Sequence, residues 1–328
     1  NAGNANAGMG LEGHKAAMAC CDYVASATGV TTDQVLPFST GVIGEPLPVD
    51  SIAAVLPEIF ADLKEANWSR ASAAILTTDT RTKLRSLQLK IDEKECIITG
   101  MAKGAGMICP NLATMLAFVG TDAEIAPSLL TRALRVAVDC SFNRITVDGD
   151  TSTNDAVVLS ATGQGQLTLN EDSPEYHRFE QALAGMLIDL AQDIVRDGEG
   201  ASKFVEIVVS GGETEEECDQ VARAVAHSPL VKTAFFASDP NWGRILAVIG
   251  RAGLHELDIS LVSIKINDIV IAEEGARAQS YTEEKGLMVM AARDLKLEIN
   301  LGKGLTKVNL WTTDLSYEYV KINADYRT

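Results

Sequence analysis

Met101-Ala-Lys-Gly-Ala-Gly-Met-Ile-Cys-Pro-Asn-Leu-Ala-Thr-Met-Leu-Ala-Phe118 is the most unusual stretch of this chain. Lys103 comes ahead of two glycines, and the small Ala113 and the hydroxyl of Thr114 stand at the head of a strand-like apolar run. Glycines let a backbone approach a ligand closely. The stretch is nevertheless not a Walker A loop, in which the lysine follows the glycines, and it lacks the context of a dinucleotide-binding fingerprint. By itself it reads as a turn, and Thr114 as a β-branched strand residue. A threonine hydroxyl is a poor nucleophile unaided. It becomes usable when a base lies within hydrogen-bond reach, and one such base is the threonine's own α-amine, exposed by cutting the preceding peptide bond. The four histidines, His14, His177, His227 and His255, fall in no motif resembling a hydrolase triad.

Working outward, periodicity separates helices from strands. Ile52, Val55, Leu56, Ile59, Phe60 and Leu63 recur at three and four residues behind Asp50, a good N-cap type, which predicts an amphipathic helix packed on a core. Phe179, Leu183, Met186, Leu187, Leu190 and Ile194 predict a second. A third starts at the capping box Thr214 to Glu217, ahead of Cys218, Val221, Ala222 and Val225, and the acidic run Glu213 to Asp219 suits its first turns. Alternation at Leu87, Leu89 and Ile91, at Val262, Ile264 and Ile266, and at Leu297, Ile299 and Leu301 predicts half-buried strands. Apolar runs over 156–159 and 205–209 add more. Strands and helices interleave, so the class is α/β or α+β. Short polar breaks such as Asn267-Asp268 suit hairpins and hence largely antiparallel pairing. There is no internal repeat, and Gly211-Gly212 marks a candidate boundary.

The chain has 328 residues, enough to bury a sizeable core. Its 45 acidic against 28 basic side chains give a net charge of −17, which repels nucleic acid at long range but leaves room for a local cationic pocket that holds a small carboxylate. No stretch approaches the roughly 18 apolar residues of a membrane span. Cys20, Cys21, Cys96, Cys109, Cys140 and Cys218 form no CxxC and no metal-ligand spacing, as expected of reduced thiols in a cytoplasmic protein. The opening Asn1-Ala-Gly-Asn lacks an initiating methionine and resembles neither a signal nor a transit peptide, so a native N-terminal segment is expected before Asn1.

With these motifs the chain resembles, along essentially its whole length, the ornithine acetyltransferases, also called glutamate N-acetyltransferases, of the cyclic arginine pathway. The signature is the stretch Lys103 to Leu116 ending in Ala-Thr-Met-Leu. Further family motifs follow in order: Asn4-Ala-Asn-Ala-Gly, Ser39-Thr-Gly-Val-Ile-Gly44, Thr77-Thr-Asp-Thr80, Asp148-Gly-Asp-Thr-Ser-Thr-Asn-Asp155, Gly198-Glu-Gly200 and Asp239-Pro-Asn-Trp-Gly-Arg244. The resemblance implies a layered α/β sandwich with mixed, largely antiparallel sheets. It implies a catalytic core over residues 1–210 and a second α/β region over 211–328 whose C-terminal tail returns to the active site.

It also implies self-cleavage between Ala113 and Thr114, with Thr114 as nucleophile and its freed α-amine as base. Thr40 and Gly41 then form the oxyanion hole, meeting the charge that develops on the acetyl carbonyl. Thr77, Lys103, Thr114, Glu199, Asn323 and Thr328 bind the amino-acid substrate, a lysine suiting an α-carboxylate and a glutamate an ammonium. The implied substrates are N2-acetylornithine and glutamate, with acetyl-CoA a further donor in some members. The implied assembly is a heterotetramer of two cleaved protomers, in the cytoplasm. Read without the resemblance, Ser39-Thr40-Gly41 is a turn, Lys103 a surface cation, Glu199 a solvated loop acid, and Asn323 and Thr328 a frayed tail.

A related self-cleaving amidohydrolase or aminopeptidase is the rival among enzymes, and a non-catalytic binding protein the rival outside them. The aspartates of 148–155 look superficially like ligands for a hard cation. They complete no EF-hand, read as a polar hairpin loop, and belong to a family that uses no cofactor or metal. Acetyl transfer is therefore expected to survive EDTA in full, and loss of activity restored by one divalent ion contradicts this.

Overall fold

A computed structural model describes residues 3–91, 93–109 and 115–326. The first third contains β1 (Gly3–Asn4), α1 (Gly10–Thr28), β2 (Gly41–Val42), α2 (Val49–Ala61), α3 (Trp68–Ala74), β3 (Lys83–Ile91) and β4 (Lys94–Lys103). The middle continues with β5 (Leu116–Thr121), β6 (Glu124–Ile125), α4 (Pro127–Asp139), β7 (Ala156–Ala161), β8 (Thr168–Leu169), α5 (Pro174–Arg196), β9 (Phe204–Gly212) and α6 (Glu215–Ala226). The last part holds α7 (Pro229–Phe236), α8 (Trp242–Gly250), β10 (Ser263–Ile266), β11 (Ile269–Glu273), β12 (Ala276–Arg277), α9 (Glu283–Met290), β13 (Asp294–Asn300), β14 (Thr306–Thr313) and α10 (Tyr317–Asp325). No helix among the described residues is long and apolar enough to cross a membrane.

Among the described residues the larger strands form two sheets, β3-β4-β5-β7 and β12-β11-β10-β13-β9-β14. Pairing is antiparallel except where β5 meets β7 and β9 meets β13. The fold is therefore the expected layered α/β type with mixed, largely antiparallel sheets. Asn267-Asp268 is indeed a hairpin break: β10 returns as β11, with Asn267 at φ 48°, a left-handed turn conformation that asparagine tolerates.

Each sheet is covered by the helices its sequence pattern foretold. The apolar stripe of α5 is buried against β3 and β4, with Phe179, Leu183, Leu187, Leu190 and Ile194 fully enclosed. Ser173 caps that helix by accepting the Tyr176 N–H. The stripe of α6 packs on β9 and β14, and Thr214 accepts the Glu217 N–H as the capping motif requires.

The helix at 49–61 departs from expectation. It begins behind Pro48, so Asp50 lies in its first turn and is not the cap. None of its residues is buried, and Val55 and Ile59 are 46% and 51% exposed. Helical spacing fixes which side chains share a face, but not what lies against that face. Here α2 packs on α1, outside both sheets, and its stripe opens onto a surface groove beside Trp68.

Leu187→Ala removes a fully enclosed side chain and is expected to lower unfolding free energy by about 2–5 kcal/mol. Val55→Ala on α2 is expected to change it by less than about 0.5 kcal/mol. Urea midpoints of the two variants check both, and similar losses contradict the assignment of core and surface.

Candidate active site

The site is assembled around one buried lysine. Lys83 opens β3 with no solvent exposure, and its Nζ donates to Asp79 Oδ1 and to Asp197 Oδ2, each at 2.6 Å. The two carboxylates in turn gather backbone donors. Asp79 accepts the N–H of Gly104 at 2.7 Å and of Thr77 at 3.2 Å. Asp197 accepts the Thr80 N–H at 3.1 Å and also the Thr80 hydroxyl. The loop before β3, the end of β4 and the end of α5 are thereby tied at one point. Burial by itself pushes the Asp79 carboxyl up, but the charge and hydrogen bond of Lys83, the Gly104 N–H and the nearby Lys103 outweigh it and hold the group below its ordinary range.

This frame sets the amino-acid-binding candidates. Lys103 ends β4, is 1% exposed, and donates from Nζ to Thr77 Oγ1 at 3.1 Å. Burial lowers its pKa, while Asp79, Asp155 and Glu199 oppose that shift by charge. Glu199 is buried too; its N–H donates to the Ala105 carbonyl at 2.8 Å, and its Oε2 accepts from Asn323 Nδ2 at 2.7 Å. The C-terminal helix α10 thus returns to the site, anchored where Ser316 Oγ donates to the Gly200 carbonyl at 2.7 Å. Gly106 has to be small, because a Cβ there would stand 2.4 Å from the Glu199 carboxyl carbon.

Thr40 is buried, and Gly41 adopts φ 129° in β2, where an added Cβ would meet the Gly3 carbonyl oxygen at 1.9 Å. Their turn joins the site through Asn154, whose Nδ2 donates to the carbonyls of Ser39, at 2.8 Å, and Ala5. Ala113, Thr114 and Thr328 lie outside the described residues. Thr77, Lys103, Glu199 and Asn323 are brought together, whereas the turn that carries Thr40 and Gly41 is tied through Ser39 to Asn154 of the 148–155 loop.

The loop at 148–155 is not a hairpin. It leads into β7, which runs parallel to its neighbour β5, and two of its aspartates, Asp148 and Asp155, serve as acceptors for backbone N–H groups. Asp148 accepts from Met107 at 2.7 Å and Ile108 at 3.0 Å, and Asp155 Oδ1 accepts from Met115 at 2.6 Å. One loop therefore holds both flanks of the 110–114 segment. Cys109 Sγ lies 3.4 Å from His227 Nε2 just before that segment; burial raises the thiol pKa and lowers the imidazole's, so both are neutral. All six cysteines are free.

Lys83, Asp197 and the acceptor roles of Asp79, Asp148 and Asp155 were missed in the sequence. Their only signal was position: Asp79 lies inside Thr77-Thr-Asp-Thr80, and Asp197 immediately precedes Gly198-Glu-Gly200.

A family model described as ArgJ family matches residues 1–328. The chain belongs to the ArgJ family. Among its relatives, the arginine biosynthesis bifunctional protein ArgJ of Pseudomonas syringae pv. tomato is 51% identical over 330 residues, covering 100% of this chain and 82% of that protein. The protein of the same name from Methylococcus capsulatus is 52% identical over 329 residues, covering 100% and 81%. A crystal structure of the arginine biosynthesis bifunctional protein argJ from Bacillus halodurans is 41% identical with a TM-score of 0.60, covering 64% of this chain and 98% of that one. The motif-based resemblance and the ArgJ membership agree over the full length.

Lys83→Met leaves Asp79 and Asp197 buried and unpaired, and is expected to cost about 3–5 kcal/mol of stability. In the unaltered protein Asp79 titrates lower when folded than when unfolded. Its stabilising contribution is thus complete above its ordinary value of 3.8 and fades as pH falls below it. Urea unfolding between pH 3 and 7 tests both statements; a Lys83→Met protein with unchanged stability at pH 7 contradicts them.

Proposed function

We propose that this protein is a glutamate N-acetyltransferase that moves acetyl from N2-acetylornithine to glutamate by double displacement through acetyl-Thr114, after cutting its own chain between Ala113 and Thr114. It is an acetyl-transferring enzyme of arginine biosynthesis. The observation that carries this reading is the convergence of buried Lys103 and Thr77 with Glu199 and Asn323 around the ends of the segment that contains Thr114. A buried cation and a buried carboxylate close enough to act on one another suit the α-carboxylate and the ammonium of an amino acid, and suit neither an acyl chain nor a polyanion.

Thr114 Oγ attacks the acetyl carbonyl of N2-acetylornithine and forms the acyl C–O bond as the C–N bond breaks. The hydroxyl proton passes to the Thr114 α-amine and then to the departing ornithine nitrogen. Thr40 and Gly41 donate to the oxyanion. Glutamate takes the emptied pocket, its amine attacks acetyl-Thr114, and N-acetylglutamate leaves. Lys103 and Thr77 hold the α-carboxylate in both halves and Glu199 and Asn323 the opposite end, with Thr328 a further substrate-binding residue. Acetyl-CoA serves as a second donor, in keeping with relatives named bifunctional, and no cofactor or metal takes part.

Self-cleavage begins with the same hydroxyl attacking the Ala113 carbonyl, giving an ester that water resolves. Its two pieces stay associated and pair into a heterotetramer in the cytoplasm.

Thr114→Ala is expected to run as a single chain on a denaturing gel and to lose transfer by a factor of about 10⁴ or more, where the unaltered protein gives two fragments, the second starting at Thr114. An alanine variant that still transfers acetyl overturns the proposal. Consumption of acetylornithine without glutamate marks a hydrolase instead, and replacing acetylornithine with acetyl-CoA tests the second donor.

A further inference from the structure

Lys83 and Lys103 are fully buried lysines that share one carboxylate neighbour, Asp79, and they are partnered unequally. Lys83 forms ion pairs with Asp79 and Asp197. Lys103, among the described residues, makes no ion pair and donates only to the neutral Thr77 hydroxyl, at 3.1 Å. An ammonium carries three N–H donors, and burying it with most of them idle costs free energy. The idle donors of Lys103 suit a carboxylate that a ligand brings.

Asp79 holds the two groups that would meet that ligand. Its side chain is fully buried, and its Oδ1 accepts from Lys83 Nζ at 2.6 Å and from the N–H of Gly104, the residue after Lys103, at 2.7 Å. Its Oδ2 accepts the Thr77 N–H at 3.2 Å. One carboxylate thus fixes the backbone on both sides of the hydrogen bond between Lys103 and Thr77, which lie 26 residues apart in the chain.

The charged groups that face Lys103 are Asp79 from the loop before β3, Lys83 from β3, Asp155 from the loop before β7 and Glu199 from the loop after α5. Burial lowers the Lys103 pKa; Asp79 opposes this most strongly, Lys83 adds to the lowering, and Asp155 and Glu199 oppose it further. Asp79 is itself ionised at neutral pH, because its partners outweigh its burial.

We propose that Asp79 is the positioning residue for recognition of the amino-acid carboxylate, holding the Lys103 ammonium and the Thr77 hydroxyl in one orientation and balancing the buried Lys103 charge without touching the ligand. This rests on the reading of Lys103 and Thr77 as the carboxylate-binding pair and is independent of the nucleophile. A positioning role and a plain field effect differ in sign. An acid near an anion site repels the anion, so its removal, by charge alone, tightens carboxylate binding. Removal of an acid that orients and charges the binding lysine weakens it.

Calorimetry of the whole protein with ornithine and with 1,4-diaminobutane, which lacks only the carboxylate, reads that sign. Asp79→Asn keeps an acceptor for Lys83 and Gly104, loses the charge and sets an amide N–H against the Thr77 N–H. Ornithine binding is expected to weaken at least about 10-fold, with 1,4-diaminobutane binding little changed. Lys103 binds a carboxylate only while protonated, and loss of the Asp79 charge lowers its pKa. The alkaline limb of ornithine binding therefore moves to lower pH than in the unaltered protein. Asp79→Glu keeps the charge but shifts the oxygens, and is expected to weaken ornithine binding with the limb in place. Equal weakening of both ligands, an unmoved limb in the Asn variant, or tighter ornithine binding overturns the proposal.

A second measurement needs no Asp79 variant. The unaltered protein is expected to prefer ornithine over 1,4-diaminobutane throughout pH 6 to 8, and a preference lost within that range shows Lys103 neutral beside Asp79 and overturns the proposal. Lys103→Met separates the two readings. If it leaves ornithine binding unchanged, the carboxylate-binding pair itself is misassigned, whereas weakened binding there together with unchanged binding in Asp79→Asn sinks only the role of Asp79.

Discussion

The ion cluster at Lys83 is what the site depends on. One ammonium fully removed from water sits between two carboxylates, and each carboxylate spends its remaining acceptor capacity on backbone N–H groups from a different segment. A buried charge is tolerated only when it is paired and hydrogen-bonded, so the cluster exists only if the loop before β3, the end of β4 and the end of α5 all come together. That requirement is what puts Thr77 beside Lys103 and carries Glu199, two residues beyond Asp197, to the same pocket.

The second constraint is a division of labour within the 148–155 loop. Asp148 takes the backbone donors ahead of the 110–114 segment and Asp155 takes the donor behind it. Such N–H groups would otherwise be orphaned, because this stretch lies between β4 and β5, beyond the reach of their ladder. Asn154, between the two, does the same for the carbonyls of Ala5 and Ser39 and so joins the N-terminal segment to the site. Three consecutive functions of one loop explain why it carries so many short acidic and amide side chains without serving as a cation cage.

The electrostatics around Lys103 are local. The protein carries a net charge of −17, which opposes carboxylate ligands at long range. Lys103 is nonetheless buried where the local field is set by a handful of groups and is little screened by water. The field at Lys103 is therefore set at short range, with Glu199 supplying the opposite sign close by.

Much of this was determined by the sequence alone. Period-two and helical spacing placed β3, β10, β13, α5 and α6, because burial of one face is a local pattern that a few residues state in full. The motif from Lys103 to Leu116 and its companions identified the family and named Lys103, Thr77, Glu199 and Asn323. Tertiary structure alone decided what covers each face and which polar groups meet. The stripe of α2 is as regular as that of α5, yet it faces α1 and solvent, since periodicity carries no information about the partner. Lys83 and Asp197, 114 residues apart, form a bond that no local pattern encodes. The acceptor roles of Asp148 and Asp155 appeared only when folding brought the backbone donors of another segment within 3 Å of their oxygens.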